Sequence, residues 1–360
     1  LRKSSFAKPF KEESVMKTKI TELFGIQYPI ILSGMSWISV PRMVAAVSNA
    51  GGLGILATGP LSVEETRAAV REIRTLTDKP FGANCALMFA GAVENTKVLL
   101  EEKVPVINFA LGKGDWIVKK AHEYGGKVVA TVVNARHAKR AQDYGCDAVI
   151  ATGNEAAAHG EAITTMVLIP SLMDALKIPV IAAGGIADGR GLAAVMALGA
   201  EGVAMGTRFM TTQESPLHDT YKKLSLEKDV TDTLYSKRFD GIWCRVMKTD
   251  AAERAIKRGL DIPASLVSSK DIARQLHLPY FKVLTGVLAS GFKNAIQMAY
   301  LANAFKMIRL ATEEGDLKTG VLPVGQVTGL IHDMPTVKEV IERVVAEARQ
   351  VQQGLAQKLE

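Results

Sequence analysis

Cysteine is nearly absent: Cys85, Cys146 and Cys244 are the only three in 360 residues. They form no CxxC pair and no metal-ligand spacing, which excludes a disulfide-stapled scaffold and a cysteine metal centre, so no metal is expected and a reducing compartment, the cytoplasm, is the expected location. Aromatic residues are sparse at 6%, and the formal net charge of +7 is spread among intermixed acids and bases. No nucleic-acid module is indicated, only a mild preference for anionic ligands. No apolar run is long enough to span a bilayer, and Leu1 to Val15 lacks the apolar centre of a secretory signal. Residues 1–16 read as a flexible leader, either expression-derived or a native extension. With 48% hydrophobic residues the chain can bury a large core.

Short apolar runs recur at nearly regular spacing: Pro29 to Ser33, Leu53 to Leu56, Phe81 to Ala86, Pro105 to Phe109, Lys127 to Val132, Asp147 to Ala151, Ile178 to Ala183 and Gly202 to Met205. Each reads as a buried parallel strand. Between them lie helix-length amphipathic stretches: Val40 to Asn49, Ser62 to Leu76, Val93 to Glu102, Trp116 to Tyr124, Ala135 to Tyr144, Thr165 to Leu176 and Gly189 to Gly199. Ser62 with Glu65 forms a capping-box pattern, Asn134 opens a helix, and Gly125, Gly145 and Gly199 close three others. Eight βα units predict a (β/α)8 TIM barrel, with a doubly wound open sheet as the rival.

Two glycine turns favour the barrel. Gly184-Gly185 follows the seventh strand and Gly206-Thr207 the eighth, where barrels place phosphate sites. Glycines there let backbone N–H groups approach an anion, and a threonine hydroxyl adds a donor. Beyond Phe209 the rhythm stops. Residues 211–318 read as a smaller, mostly helical domain leaving the catalytic face as a wall or lid, with helices at Pro216 to Lys228, Ala251 to Arg258, Ser269 to Leu276 and within Leu284 to Thr312. Residues 17–210 and 319–360 form the expected barrel domain, completed by a charged helix from Met334 to Lys358.

Several segments resemble the nitronate monooxygenase family, once called 2-nitropropane dioxygenases: Ile20 to Ile30, Ser48-Asn49-Ala50-Gly51-Gly52-Leu53-Gly54, Pro80-Phe81-Gly82-Ala83-Asn84 and both glycine turns. Flavin-dependent enoyl-acyl-carrier-protein reductases share the fold and most of these motifs. The resemblance runs from about Lys17 to Glu360 and implies an FMN at the carboxyl end of the barrel. Carried over by position, Gly184, Gly185, Gly206 and Thr207 hold the phosphate, and Gly34, Met35 and Asn84 lie against the ring. Ser33, Gly153 and Gln326 complete the expected cofactor contacts. His159, four residues after Glu155 on the loop leaving the sixth strand, is the expected catalytic residue, since both branches place a histidine after such a spacer. Its small neighbours leave an imidazole free to take a proton or bind a carbonyl or nitro oxygen.

The chain departs from the family in places. Leu32-Ser33-Gly34-Met35 stands where many nitronate enzymes and quinone reductases carry Gln-Gly-Gly-Met, and a lysine near Thr131 and an acid near Thr152 are missing. Val324 to Leu330 is closer to the enoyl reductase branch. The resemblance therefore implies an FMN oxidoreductase of the nitronate monooxygenase type. The alternatives are a reductase of enoyl thioesters of CoA or acyl-carrier protein, or of a quinone, using NADH or NADPH, and a phosphate-binding barrel isomerase without flavin. The expected partner is a small-molecule substrate, with no membrane and no nucleic acid, and the oligomeric state is open, a dimer included. Cys85 and Cys146 read as core and Asp188 as a helix cap. Met35, Met88, Met166 and Met210 are candidate pocket residues, as are Trp37, Trp116 and Trp243, with Lys113 and Arg245 as open ligand contacts. His122, His137, His218, His277 and His332 read as surface or packing residues.

Overall fold

Eight parallel strands close on themselves in this computed structural model, which describes residues 16–359 except 158, 276, 278 and 290. The expected leader, apart from Met16, lies outside the described residues. The strands are β1 (Ile30–Leu32), β2 (Leu53–Ala57), β3 (Phe81–Ala86), β4 (Val106–Ala110), β5 (Lys127–Val132), β6 (Ala148–Thr152), β7 (Val180–Ala183) and β8 (Gly202–Met205). Each pairs with its sequence neighbour, and β1 pairs with β8 through Ile31 and Ala204. The open-sheet rival is thereby excluded.

A short helix α1 (Lys19–Phe24) precedes β1. The outer helices are α2 (Pro41–Asn49), α3 (Val63–Leu76), α4 (Ala92–Glu101), α5 (Asp115–His122), α6 (Ala135–Asp143), α7 (Thr165–Ala175) and α8 (Gly189–Ala197). Local chemistry sets their ends as the sequence predicts. Ser62 Oγ accepts from the Glu65 N–H while the Glu65 carboxylate accepts from the Ser62 N–H, and Asn134 Oδ1 accepts from the His137 N–H. Such caps satisfy backbone donors that a helix start leaves unpaired.

Alternation along the strands divides the interior. Ile31, Leu53, Ile55, Val106, Val129, Ala148, Ile150, Ile181 and Ala204 form one cluster with Ile20, Phe24 and Ile26, so α1 packs onto the barrel's inner layer. Leu32, Leu56, Ile107, Val128, Val149, Val180 and Val203 belong instead to a core with the surrounding helices.

After β8 come α9 (Thr207–Met210), α10 (Asp219–Leu226), the antiparallel pair β9 (Thr233–Ser236) and β10 (Cys244–Met247), then α11 (Asp250–Arg258), α12 (Ile262–Gln275), α13 (Tyr280–Ala289) and α14 (Phe292–Thr312). The hairpin was not foreseen in a region read as mostly helical. Its four-residue strands carry no period-2 alternation, with β10 buried at all four positions, and local pattern cannot separate such a run from a buried helix segment. The expected stretch from Leu284 to Thr312 is broken at Gly291, whose φ of 96° lies outside the helical region. Ile38 and Met210 of the barrel share a buried cluster with Leu217, Tyr221, Met247, Ala311 and Leu322, which seats this segment on the strands' carboxyl ends. A final helix, α15 (Val337–Leu359), packs on α8 so closely that a Cβ on Gly189 would come within 2.3 Å of the Ala348 nitrogen. No helix among the described residues is long and apolar enough to cross a membrane.

Candidate active site

Continuing the inward-facing rows by two residues toward the strands' carboxyl ends replaces large apolar side chains with small or polar ones. Ile31 gives way to Ser33, Ile55 to Ala57, Val106 to Asn108, Val129 to Thr131, Ile150 to Thr152 and Ile181 to Ala183, while β3 contributes Asn84. All seven line one cavity of about 1020 Å³. Its floor carries a chain of hydrogen bonds across three strands. Asn84 Nδ2 donates to Asn108 Oδ1 at 2.6 Å, and Asn108 Nδ2 donates to Thr131 Oγ1 at 3.0 Å and to the Val129 carbonyl at 3.1 Å. Asn108 escaped the sequence reading, although it shares the strand phase of the inward residues and was legible from it.

Around the rim, β7 and β8 are neighbours, with Ala183 opposite Ala204. Their turns therefore bring Gly184, Gly185, Gly206 and Thr207 to the same cavity. Gly184 and Gly185 have φ of 102° and 73°, conformations that L side chains resist. Gly325 joins them by donating its N–H to Thr207 Oγ1 at 2.9 Å. After β1, Ser39 Oγ donates to the Ser33 carbonyl and accepts from the Met35 N–H, fixing the Gly34–Met35 turn. A Cβ on Gly34 would stand 2.6 Å from Asn84 Cβ, so glycine is what allows this turn to lie on the floor. Gly153 and Gln326 do not line the cavity. Gly153 supports the rim by donating its N–H to the Ala183 carbonyl, and the Gln326 N–H binds the Glu155 carbonyl.

His159 faces the cavity from the loop after β6. The hairpin grips that loop. Arg245 donates from Nε to the Asn154 carbonyl at 3.0 Å and from Nη2 to Asn154 Oδ1 at 2.7 Å. Tyr235 Oη donates to the Gly160 carbonyl at 2.7 Å. Asp240, from the hairpin's connecting loop, places Oδ2 at 2.6 Å from His159 Nε2. Arg245 and Asp240 are both buried, and burial lowers the Arg245 pKa from its ordinary value. The Glu155 carboxylate is held by the Thr165 N–H and Oγ1, which makes it a brace for the start of α7.

The other candidates divide. Met35, Met210, Trp37, Trp243 and Lys113 line the cavity, whereas Met88, Met166, Trp116 and Arg245 do not. His137, read as a surface or packing residue, lines it as well, because it sits in the first turn of α6 at the carboxyl end of β5. His122 lies 2.9 Å from Asp147 and His218 caps α10. Asp188 caps α8 through two backbone N–H groups. Burial pushes the Cys85 thiol up to about 11 and the Cys146 thiol to about 12, as expected of core residues.

The cavity continues from the glycine rim to Ile272, Val287, Met298, Leu301 and Phe305 of α12, α13 and α14, with the exposed cations Lys113, Arg140 and Lys237 also on its walls. The family model described as nitronate monooxygenase matches residues 17–347. One relative, (3aS,4S,5R,7aS)-5-hydroxy-7a-methyl-1-oxo-octahydro-1H-indene-4-carboxyl-CoA dehydrogenase of Rhodococcus jostii (strain RHA1), is 38% identical over 93% of this chain and 96% of its own. A probable nitronate monooxygenase of Staphylococcus aureus (strain MSSA476) is 30% identical over 69% of this chain and 82% of its own. Among solved structures, FabK from Thermotoga maritima is similar with a TM-score of 0.81 and 36% identity, covering 95% of this chain and 99% of that one. On these matches and this barrel, the chain belongs to the nitronate monooxygenase family of flavin-dependent oxidoreductases.

Proposed function

We propose that this protein is an FMN-dependent oxidoreductase acting on an acyl thioester, with His159 as the group that exchanges a proton with substrate. The observation that carries this reading is the length and lining of the cavity. At about 1020 Å³ it stands at the upper end of small-molecule sites, about 300–1,000 Å³. It runs from the glycine rim, past the imidazole, to an apolar gallery under α12–α14, while Lys113, Arg140 and Lys237 offer positive charge on its walls. A short nitronate has no use for such a gallery. An apolar acyl group does, and a thioester whose carrier bears phosphates matches the cations. One relative points the same way, since the one at 38% identity is named for dehydrogenation of a carboxyl-CoA.

The residues present fit FMN. Gly184, Gly185, Gly206 and Thr207 would hold its phosphate with backbone N–H groups, and Gly34, Met35 and Asn84 would flank its ring. The flavin, when bound, supplies hydride exchange, with NADH or NADPH as the reductant in the reducing direction. The chain's residues do the rest. The apolar gallery orients the acyl group and excludes water, and His159 holds or takes the proton that accompanies hydride transfer.

Anaerobic mixing of the FMN-loaded protein tests this. Bleaching by NADH or NADPH followed by reoxidation with crotonyl-CoA is the expected result. The second reading, a nitronate monooxygenase, is favoured by the Staphylococcus relative. If crotonyl-CoA leaves reduced flavin unchanged while propionate-3-nitronate bleaches the oxidised flavin anaerobically and, in air, drives oxygen uptake, the thioester reading is lost and the nitronate one stands.

A further inference from the structure

A ring nitrogen of His159, a carboxylate oxygen of Asp240 and the Cys244 sulfur lie within 4.8 Å of one another. Histidine, carboxylate and thiol are a zinc-like set, and the distances decide against it. Two ligands of a tetrahedral zinc bound at about 2.0–2.1 Å stand roughly 3.3 Å apart. Nε2 and Oδ2 are at 2.6 Å, which is the separation of a charge-assisted hydrogen bond with a proton between them. The sulfur points the same way. Cys244 is fully buried, and its thiol is pushed well above the ordinary value by burial and then by the neighbouring carboxylate, so it carries its proton, which it directs to the Arg245 carbonyl at 4.0 Å. A metal ligand would have to be a thiolate.

We infer that Asp240 is a positioning residue that fixes the tautomer of His159: Nε2–H donates to Asp240 Oδ2, and bare Nδ1 is presented to the cavity as the proton acceptor. Asp240 is built to be such a fixed acceptor. It is 3% exposed, and Oδ1 accepts from the Ile242 N–H at 3.1 Å. Its backbone carbonyl accepts from Gln297 Nε2 at 2.8 Å, tying the loop to α14. The carboxylate thus has one oxygen on the imidazole and the other on a backbone N–H, and cannot rotate without losing both. When Nδ1 takes a proton from substrate, an O–H or C–H bond breaks, an N–H bond forms, and the imidazolium charge falls beside a buried carboxylate. The same geometry holds that proton for return in the reverse direction. Asp240 borders the same cavity, but its two carboxylate oxygens are engaged by His159 Nε2 and the Ile242 N–H, so its part is played through the ring.

This rests on His159 being the proton-exchanging group of the proposed activity, so the test reads the imidazole itself. The FMN-loaded protein is labelled with 15N-histidine, and the His159 signals are assigned by their loss in His159→Gln. The wild-type protein is expected to show the Nε2–H tautomer, with Nδ1 unprotonated and the Nε2 proton shifted downfield by its short hydrogen bond. Asp240→Asn should abolish the downfield proton and mix the tautomers, with turnover falling about 10²- to 10⁴-fold and flavin content unchanged. Asp240→Glu should restore the tautomer in part. An Nδ1–H tautomer in the wild-type protein overturns the inference even if Asp240→Asn fails to fold, and so does stoichiometric zinc uptake that displaces the Nε2 proton. The right tautomer with no thioester turnover would instead count against the proposed substrate alone.

Discussion

Arg245 in β10 holds Asn154, five residues before His159, by two hydrogen bonds from one guanidinium, and uses a third donor, Nη1, on Thr233 Oγ1 of β9 at 2.9 Å. The hairpin and the loop are therefore one mechanical unit, although 91 residues separate the pair. Arg245 also lies over the Tyr235 ring at 5.0 Å, and that ring stacks on Trp243 at 4.7 Å. Replacing Arg245 by methionine keeps the stem's packing and removes all three donors. Hydrogen bonds to a charged group contribute about 1.5–3 kcal/mol each, and the losses here overlap, so a stability decrease of about 2–4 kcal/mol is expected. Activity should fall further than stability alone explains, because the loop that aims His159 is released. Urea unfolding and turnover measured side by side on the variant check both, and a variant as active as wild type would show that the loop holds its shape unaided.

Gly184→Ala tests the rim. At φ of 102° a Cβ is strained, and it would meet the Ala156 nitrogen at 3.1 Å and the Gly153 carbonyl at 3.2 Å. The backbone penalty is about 1–2 kcal/mol. The larger effect expected is loss of flavin, since the shifted turn withdraws the N–H groups proposed for its phosphate. The purified variant should be pale, with its absorbance near 450 nm reduced several-fold after dialysis. Full yellow colour with unchanged retention would place the phosphate elsewhere.

Asn108→Ala tests the floor. Removing this amide leaves Asn84 Nδ2 and Thr131 Oγ1 without the partner each now has. A fully buried unsatisfied polar group costs about 1–3 kcal/mol, and these two are half-buried at the cavity, where water can relieve part of that cost. A drop in melting temperature of several degrees is expected, together with weaker flavin binding because Asn84 is no longer held in place. Asn108→Asp should be the milder change in geometry, as Oδ1 still accepts from Asn84. Equal retention of flavin by all three proteins would mean that Asn84 needs no anchor.

Much of this site is local and therefore legible. The barrel follows from eight apolar runs of strand length separated by amphipathic helices, and the glycine rim from two turns at the ends of the last two strands. Ser33 directly follows β1, Asn84 lies within β3 and His159 comes seven residues after β6, and pattern alone identifies all three strand segments. What escaped is what depends on partners distant in sequence. Asp240 reaches His159 across 81 residues and Arg245 reaches Asn154 across 91, and their hairpin has no alternating pattern to announce it. An isolated Asp between Phe239 and Gly241 carries no signal of its own. Its meaning comes from where β9 and β10 set it down, and that is fixed by packing of Phe239, Cys244 and Val246 against α11 and α14. Asn108 is the intermediate case, since strand phase alone aims it inward.

Alkaline pH should unfold this protein in a way that traces to its cysteines. Cys85 is pushed up to about 11 mainly by burial, with Thr96 and Thr58 pulling weakly the other way, and Cys146 to about 12 by burial and the adjacent Asp147. In the unfolded chain both thiols ionise near pH 9. Between about pH 9 and pH 11 the unfolded state therefore binds fewer protons than the folded one, and by linkage stability falls as pH rises. The contribution is fully present below pH 9 and is exhausted once pH passes the folded-state values. For Cys85 the span of roughly two units corresponds to at most about 3 kcal/mol. Wild-type urea midpoints should be level from pH 7 to 8.5 and decline steadily to pH 10.5. Cys85→Ala leaves only a small cavity beside Thr58, so it should start lower at pH 7 yet decline less steeply. Parallel slopes for the two proteins would mean that Cys85 does not titrate on unfolding, and the alkaline sensitivity would then belong to Cys146, to Cys244, or to the half-buried Tyr124 and buried Tyr221, which burial also shifts upward.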